Sequence, residues 1–201
     1  MYFKNSDQFN LQEVTIFVYL LFTKIPTMNL QDFIRNVPDF PKKGIVFKDI
    51  TTLLKEPEAF ATTADMLYNF SKNLGVHKVA AIESRGFLFG TLLAQRLGAG
   101  FVPIRKPQKL PSKVYSQSYV LEYGEDTIEM HQDAIQKGEK VLLHDDLLAT
   151  GGTAEAACKL IEQAGGIIVQ VSFLIELTFL KGREKLKSYD VVSLLRYDEE
   201  A

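Results

Sequence analysis

Short apolar runs ending in polar turns recur along this chain, and most lead into a stretch rich in helix formers. Residues 77–82, 101–104, 141–143, 167–177 and 191–197 have the aliphatic and β-branched content of buried strands, although 167–177 is interrupted by Gln170, Ser172 and Glu176. Between them, 56–75 sets Phe60, Ala64, Leu67, Tyr68 and Leu74 at helical spacing behind Pro57, which suits a helix start. Residues 87–97 read as a helix stopped by Gly98, and 154–164 as one closed by Gly165 and Gly166. Residues 28–36 begin an amphipathic helix, 132–135 form a short helix or turn, and 182–186 give a helical turn. Two prolines and Gly44 make 37–54 an irregular loop leading into a short extended piece. Alternating strands and helices from Val79 to Tyr197 predict an α/β fold with a mainly parallel, doubly wound sheet.

Composition narrows the class. With 201 residues, 46% apolar and 24% charged, the chain is long enough for one sizeable globular domain. A net charge of −2 leaves no basic footprint for nucleic acid, and no Lys/Arg block suggests a membrane surface. The single Cys158 excludes an internal disulfide and a cysteine-based zinc site, and its apolar helical surroundings make it a packing residue. The first 27 residues stand apart: the apolar run 14–22 is too short to span a membrane, and no small-residue cleavage site follows it. Met28 reads as a natural start, so the expected organisation is an extension over 1–27 that adds no function and one domain over 28–201, located in the cytoplasm.

The chemistry centres on 140–153, where a strand ends at Asp145 and Asp146 and the chain breaks into Ala149-Thr150-Gly151-Gly152-Thr153 before a helix. Open α/β sheets bind ligands at the carboxyl ends of their strands. Gly151 and Gly152 let backbone N–H groups turn toward an anion, the helix dipole adds positive potential, and Thr150 and Thr153 supply hydroxyls. The two carboxylates accept ribose hydroxyls or hold a hydrated Mg²⁺. Neither a Walker A loop nor a dinucleotide fingerprint is present. The same pattern returns at Glu83-Ser84-Arg85-Gly86, where a strand meets a helix and Ser84 and Arg85 form a second anion site. Two anion sites match a ligand phosphorylated at both ends.

Hydrophobic strand, Asp-Asp, four residues and Gly-Gly-Thr closely resembles the signature of type I phosphoribosyltransferases, which bind 5-phosphoribosyl 1-pyrophosphate. The run Pro38-Asp-Phe-Pro-x-x-Gly-Ile-x-Phe-Lys-Asp-Ile50 resembles the hood of the adenine phosphoribosyltransferases, and Leu121-Glu-Tyr-Gly124 is another signature of that kind. The resemblance covers Met28 to Arg196. It implies a type I phosphoribosyltransferase fold with a hood over about 28–54 and a mobile two-stranded flap over about 106–130, where polar and apolar residues alternate. On matching positions it implies that the main chain of Val46 and Lys48 reads adenine, with Phe47 in apolar contact. A backbone N–H and C=O can pair with adenine, whereas a 6-oxopurine reverses the pattern and leaves buried groups unpaired, at about 1–3 kcal/mol each.

The resemblance further implies that Ser84, Arg85, Arg105, Lys106 and Lys109 contact pyrophosphate, with Pro107 standing where some relatives carry another basic residue. Residues 149–153 take the 5-phosphate, Asp145 and Asp146 the ribose, and the loop at Glu83-Ser84 often holds a cis peptide. Glu122 becomes the proton-transfer residue, its pKa raised as the flap closes, and Tyr123 lies beside the substrate. His144, where the family usually has an aliphatic residue, reads as a packed strand residue. The implied reaction is adenine plus phosphoribosyl pyrophosphate giving AMP and pyrophosphate with Mg²⁺, in purine salvage by a homodimer. Two alternatives stay open: transfer to hypoxanthine, xanthine or a pyrimidine, and a non-catalytic phosphoribosyl-pyrophosphate-binding regulator.

Overall fold

The structure, a computed structural model, describes residues 28–120 and 124–199; the 1–27 extension lies outside them. A 3₁₀ turn at Leu30–Phe33 leads into β1 (Arg35–Val37), which pairs antiparallel with β2 (Phe47–Asp49) to form the hood. The helix expected over 28–36 is therefore reduced to that single turn. Asn29 caps it, Pro38 biases Val37 toward extended backbone, and pairing with β2 satisfies main-chain groups that so short a helix would leave open. Arg35 Nε donates to Asp49 Oδ2 at 3.0 Å across the pair, and Asp49 Oδ1 accepts from Thr51 N at 2.8 Å where α1 (Thr51–Leu54) starts.

After α2 (Pro57–Ser71) come β3 (Lys78–Ile82), α3 (Gly86–Leu97) and β4 (Gly100–Ile104). Two antiparallel strands, β5 (Val114–Val120) and β6 (Glu125–His131), make the expected ribbon. Then follow β7 (Lys140–Leu148), α4 (Gly152–Gln163), β8 (Ile167–Leu177) and β9 (Val191–Tyr197). The main sheet is parallel in the order β4-β3-β7-β8-β9. From β3 the chain steps outward to β4, and later resumes at β7 on the other side. The topological switch point thus lies between the carboxyl ends of β3 and β7, where such sheets bind ligands.

Alternation along the strands builds two cores. Val79, Leu142 and Leu174 meet Leu67, Phe89 and Leu93 from α2 and α3 on one face. Ala80, Leu143 and Phe173 meet Ala157 and Leu160 of α4 on the other, where Tyr119, Ile128 and Met130 of the ribbon also pack. Phe89 and Phe173 are fully buried, each contributing about 1.5–3 kcal/mol of burial free energy. The central strand is longer than the 141–143 run predicted. It continues through Asp145 and Asp146 to Leu148, because Asp145, Leu147 and Leu148 stay in register with Phe173, Ile175 and Glu176 of β8. Pairing with a central neighbour outweighs the low strand propensity of Asp.

Candidate functional site

The loop after β7 wraps a small cavity of about 70 Å³ lined by Asp145 and residues 147–154. Gly151 enters α4 with φ +78°, and its backbone lies against that of Gly182, so a side chain there would collide with the Gly182 carbonyl. Five candidate positions, Ala149, Thr150, Gly151, Gly152 and Thr153, therefore curl around one point at a helix N-terminus, a geometry suited to a phosphate. Asp145 borders it, and Asp146 is the next residue along β7. Asp146 N donates to Asp145 Oδ1 at 2.9 Å, and Gly86 approaches so closely that a Cβ would lie 2.8 Å from the same oxygen. Burial, then the neighbouring charge of Asp146, holds the Asp145 carboxyl well above its ordinary range. Burial also raises Asp146, against the pull of Arg85. Arg85 Nε lies 2.9 Å from Asp146 Oδ2, yet that oxygen has no hydrogen-bond donor among the described residues. The contact is ionic and leaves a buried acceptor for a ribose hydroxyl or a hydrated cation.

Arg85 ties the second anion site to the first. Its Nη1 donates to the Lys48 carbonyl at 3.3 Å, and its guanidinium stands over the Phe47 ring at 4.6 Å. Ser84 is exposed beside it, and the Glu83-Ser84 peptide is cis. The basic run meets this loop through Glu83, the residue before Ser84. Arg105 gives Nε and Nη2 to Glu83 at 3.1 Å each and Nη1 to the Lys109 carbonyl at 3.2 Å. Hydrogen bonds from Arg105 hold the Glu83 carboxyl below its usual value. Lys106 Nζ pairs with Asp126 and donates to the Tyr119 hydroxyl at 2.9 Å; burial pulls its pKa down, but these partners outweigh it and raise the value. Composition marks such residues as cations, whereas the folded chain determines which carboxylates they meet.

A larger cavity of about 460 Å³ opens between hood and sheet. Ile45, Val46, Phe47 and Lys48 form one wall. The opposite wall, Leu147, Leu177, Phe179 and Leu180, was absent from the sequence expectations, since apolar residues at strand ends look like ordinary core. Ala149 and Thr150 line both cavities, making them neighbours. Lys48 is only 3% exposed; its ammonium bonds Asn36 Oδ1 at 3.0 Å and sits over the Tyr197 ring at 4.3 Å. Phe40 packs edge-on against Phe47, with ring centroids 5.1 Å apart. Glu122 and Tyr123 lie outside the described residues. His144 is fully buried, bonds Ser172 Oγ at 3.3 Å and is held neutral by burial, with a pKa of about 3. Burial pushes the Cys158 thiol up to about 12, as expected of a packing residue. Among the described residues no cluster of three or more His, Cys, Asp or Glu could hold a metal, and no helix is long and apolar enough to cross a membrane.

Residues 49–198 match the family model of the phosphoribosyl transferase domain. Among similar proteins is the adenine phosphoribosyltransferase of Christiangramia forsetii, 58% identical over 173 residues, which span 85% of this chain and 99% of that one. That of Thermosipho melanesiensis is 55% identical over 174 residues, 87% of this chain and 99% of the relative. The crystal structure of the Thermoanaerobacter pseudethanolicus adenine phosphoribosyltransferase superposes with a TM-score of 0.82 at 52% identity, covering 84% of this chain and 100% of that one. The Saccharomyces cerevisiae enzyme, complexed with adenine and an imino-altritol bisphosphate, gives 0.78 at 40% identity over 83% and 96% of the two chains.

Proposed function

Because the chain belongs to the adenine phosphoribosyltransferase family, and so to the phosphoribosyl-transferring enzymes, we propose that its switch-point cleft joins adenine to 5-phosphoribosyl 1-pyrophosphate, releasing AMP and pyrophosphate. The observation that carries this reading is the contiguity of the two cavities: an apolar chamber large enough for a base under the hood shares Ala149 and Thr150 with a small loop cavity suited to a phosphate. A nucleoside monophosphate has that layout, and its ribose would lie by Asp145, which lines the smaller cavity, and the adjacent Asp146.

In this reading the backbone N–H groups and hydroxyls of 149–153 hold the 5-phosphate, while the two Asp hold the ribose and stabilise positive charge developing at its C1. Ser84 and Arg85 receive pyrophosphate. Lys106 and Lys109 supply further positive charge, and Arg105 does so either directly or by shaping their loop. The two adjacent carboxylates, one with an unfilled acceptor, fit a Mg²⁺ that arrives with the substrate. When bound, Mg²⁺ neutralises charge on the departing pyrophosphate. Val46 and Lys48 read the base through main-chain groups, and Phe47 and Leu180 contact its faces. The ring nitrogen attacks C1 as pyrophosphate leaves, and Glu122 on the flap accepts the proton that the base gives up. Flap closure excludes water that would trap the cationic sugar. The reaction serves purine salvage in the cytoplasm, with a homodimer as the working form.

A base panel tests the assignment. With phosphoribosyl pyrophosphate and Mg²⁺, adenine should release pyrophosphate, whereas hypoxanthine, xanthine and pyrimidines should run at least about a hundredfold slower, as expected where buried hydrogen-bonding groups are mismatched. Equal turnover of a 6-oxopurine would refute adenine selection. Glu122→Gln should lower kcat while leaving donor binding intact; an unchanged rate removes Glu122 from proton transfer.

A further inference from the structure

Two single turns of 3₁₀ helix, Thr178–Leu180 and Gly182–Leu186, follow β8 and meet at Lys181, which adopts φ +53°. Together they touch both halves of the cleft. Phe179 and Leu180 wall the larger cavity under the hood. Gly182 backs onto the phosphate loop so tightly that a Cβ there would strike the Ala149 carbonyl and lie 3.1 Å from Gly151 N. Any shift of these turns therefore moves the cavity wall and the loop together.

One side chain fastens them. Arg183 presents Nε to Glu176 Oε1 at 2.6 Å and Nη2 to Oε2 at 2.8 Å, a two-pronged match to the carboxylate. Its Nη1 reaches the Val191 carbonyl at 2.8 Å, and Nη2 also reaches Ser193 Oγ at 3.2 Å, which anchors the turns to β9. The Glu176 carboxylate is only 5% exposed, and Arg196 Nε adds a second cation at 3.5 Å. Arg183 is half-buried, but an ion pair on a buried carboxylate still contributes little net stability while imposing strict geometry, because a carboxylate out of water needs its donors in place. Only a planar guanidinium supplies this fork; lysine would offer a single point of charge.

We propose that Glu176 and Arg183 are positioning residues: their ion pair, built on the buried Glu176 carboxylate, sets the 178–186 turns and so holds the base cavity and the 5-phosphate loop at one fixed separation. This assignment rests on the function proposed above. Neither residue touches the cavity contents, so they act through Phe179, Leu180 and Gly182.

Arg183→Lys retains the charge and should fold, with thermal unfolding within a few degrees of wild type. KM for adenine and for phosphoribosyl pyrophosphate should both rise about tenfold, with kcat within about threefold, as expected when the bound reactants are misplaced but the chemical groups are intact. Glu176→Met/Arg183→Met, which replaces the pair by apolar side chains of similar length, should unfold near the wild-type temperature and show the same double rise in KM. Calorimetric binding of AMP, which spans both subsites, should weaken in parallel. Wild-type KM values in Arg183→Lys, or a rise for only one substrate, would overturn the proposal. Wild-type turnover reads the function itself and AMP binding reads the pocket without turnover, so failure of one is distinguishable from failure of the other.

Discussion

At the scale of single residues, the ribose-binding role proposed for Asp145 and Asp146 sets function against stability. Of these two adjacent carboxylates Asp146 pairs with Arg85, and both are held above their ordinary range, with burial the first cause. A carboxyl whose pKa is raised on folding adds stability below its unfolded value and loses it as pH climbs through the folded one, so at neutral pH the pair is a cost. Asp145→Asn should accordingly raise the unfolding temperature at pH 8 by a few degrees while lowering turnover at least about tenfold, the usual trade at a strained site. Calorimetric unfolding beside steady-state rates checks this, and a variant that loses both stability and activity would contradict it. His144 and Cys158 show the opposite case: chemically capable groups that burial leaves neutral and inert.

Elements acquire their roles from close approach. The start of α3 can press on β7 because Gly86 has no side chain: a Cβ would meet Asp145 Oδ1 at 2.8 Å and the His144 carbonyl at 3.1 Å. Gly86→Ala should therefore displace Asp145 before it disturbs the helix, which alanine itself favours. We expect KM for phosphoribosyl pyrophosphate to rise about tenfold and stability to fall by about 1–3 kcal/mol, the range for overpacking. Kinetics and denaturant titration report the two effects separately. The ribbon shows the same dependence on neighbours: Lys106 is a cation in any reading, but Asp126 and Tyr119 lie opposite it only because β5 and β6 pair in this register.

For the molecule as a whole, ion pairs stitch together segments far apart in the chain, and their carboxyls set its acid response. Hydrogen bonds from Arg105 depress Glu83; burial pushes Glu176 up, but the bonds from Arg183 outweigh it and leave its value low. For such groups stability is present above the unfolded pKa, near 4.5, and is lost as pH falls through the depressed folded value. The contribution of these two carboxyls to the unfolding temperature should stay nearly flat from pH 7 to about 5 and then drop steeply below about 4.5, opposite in sign to that of Asp145 and Asp146. Glu83→Gln, which keeps one acceptor oxygen for Arg105 Nε and Lys106 N but loses the charge and the acceptor for Arg105 Nη2, should flatten part of that drop; an unchanged acid slope would show that Glu83 carries none of it.

Local pattern was enough for the presence and order of the sheet strands, the helices from Pro57 onward and the turn at 149–153 that opens a helix, because periodicity, capping glycines and turn chemistry act within a few residues. The helix expected over 28–36 and the short strand at 141–143 were misjudged because pairing partners distant in sequence, β2 and β8, claim those backbones. The far cavity wall and the Arg183 clamp were equally out of reach: Leu177, Phe179 and Leu180 resemble core, and Arg183 resembles a solvated helical turn. Sequence alone determined which chemical groups the chain owns and the order in which its elements come. Tertiary structure decided which groups face one another across the cleft, because a contact between remote segments is set by packing and register rather than by the composition of either segment.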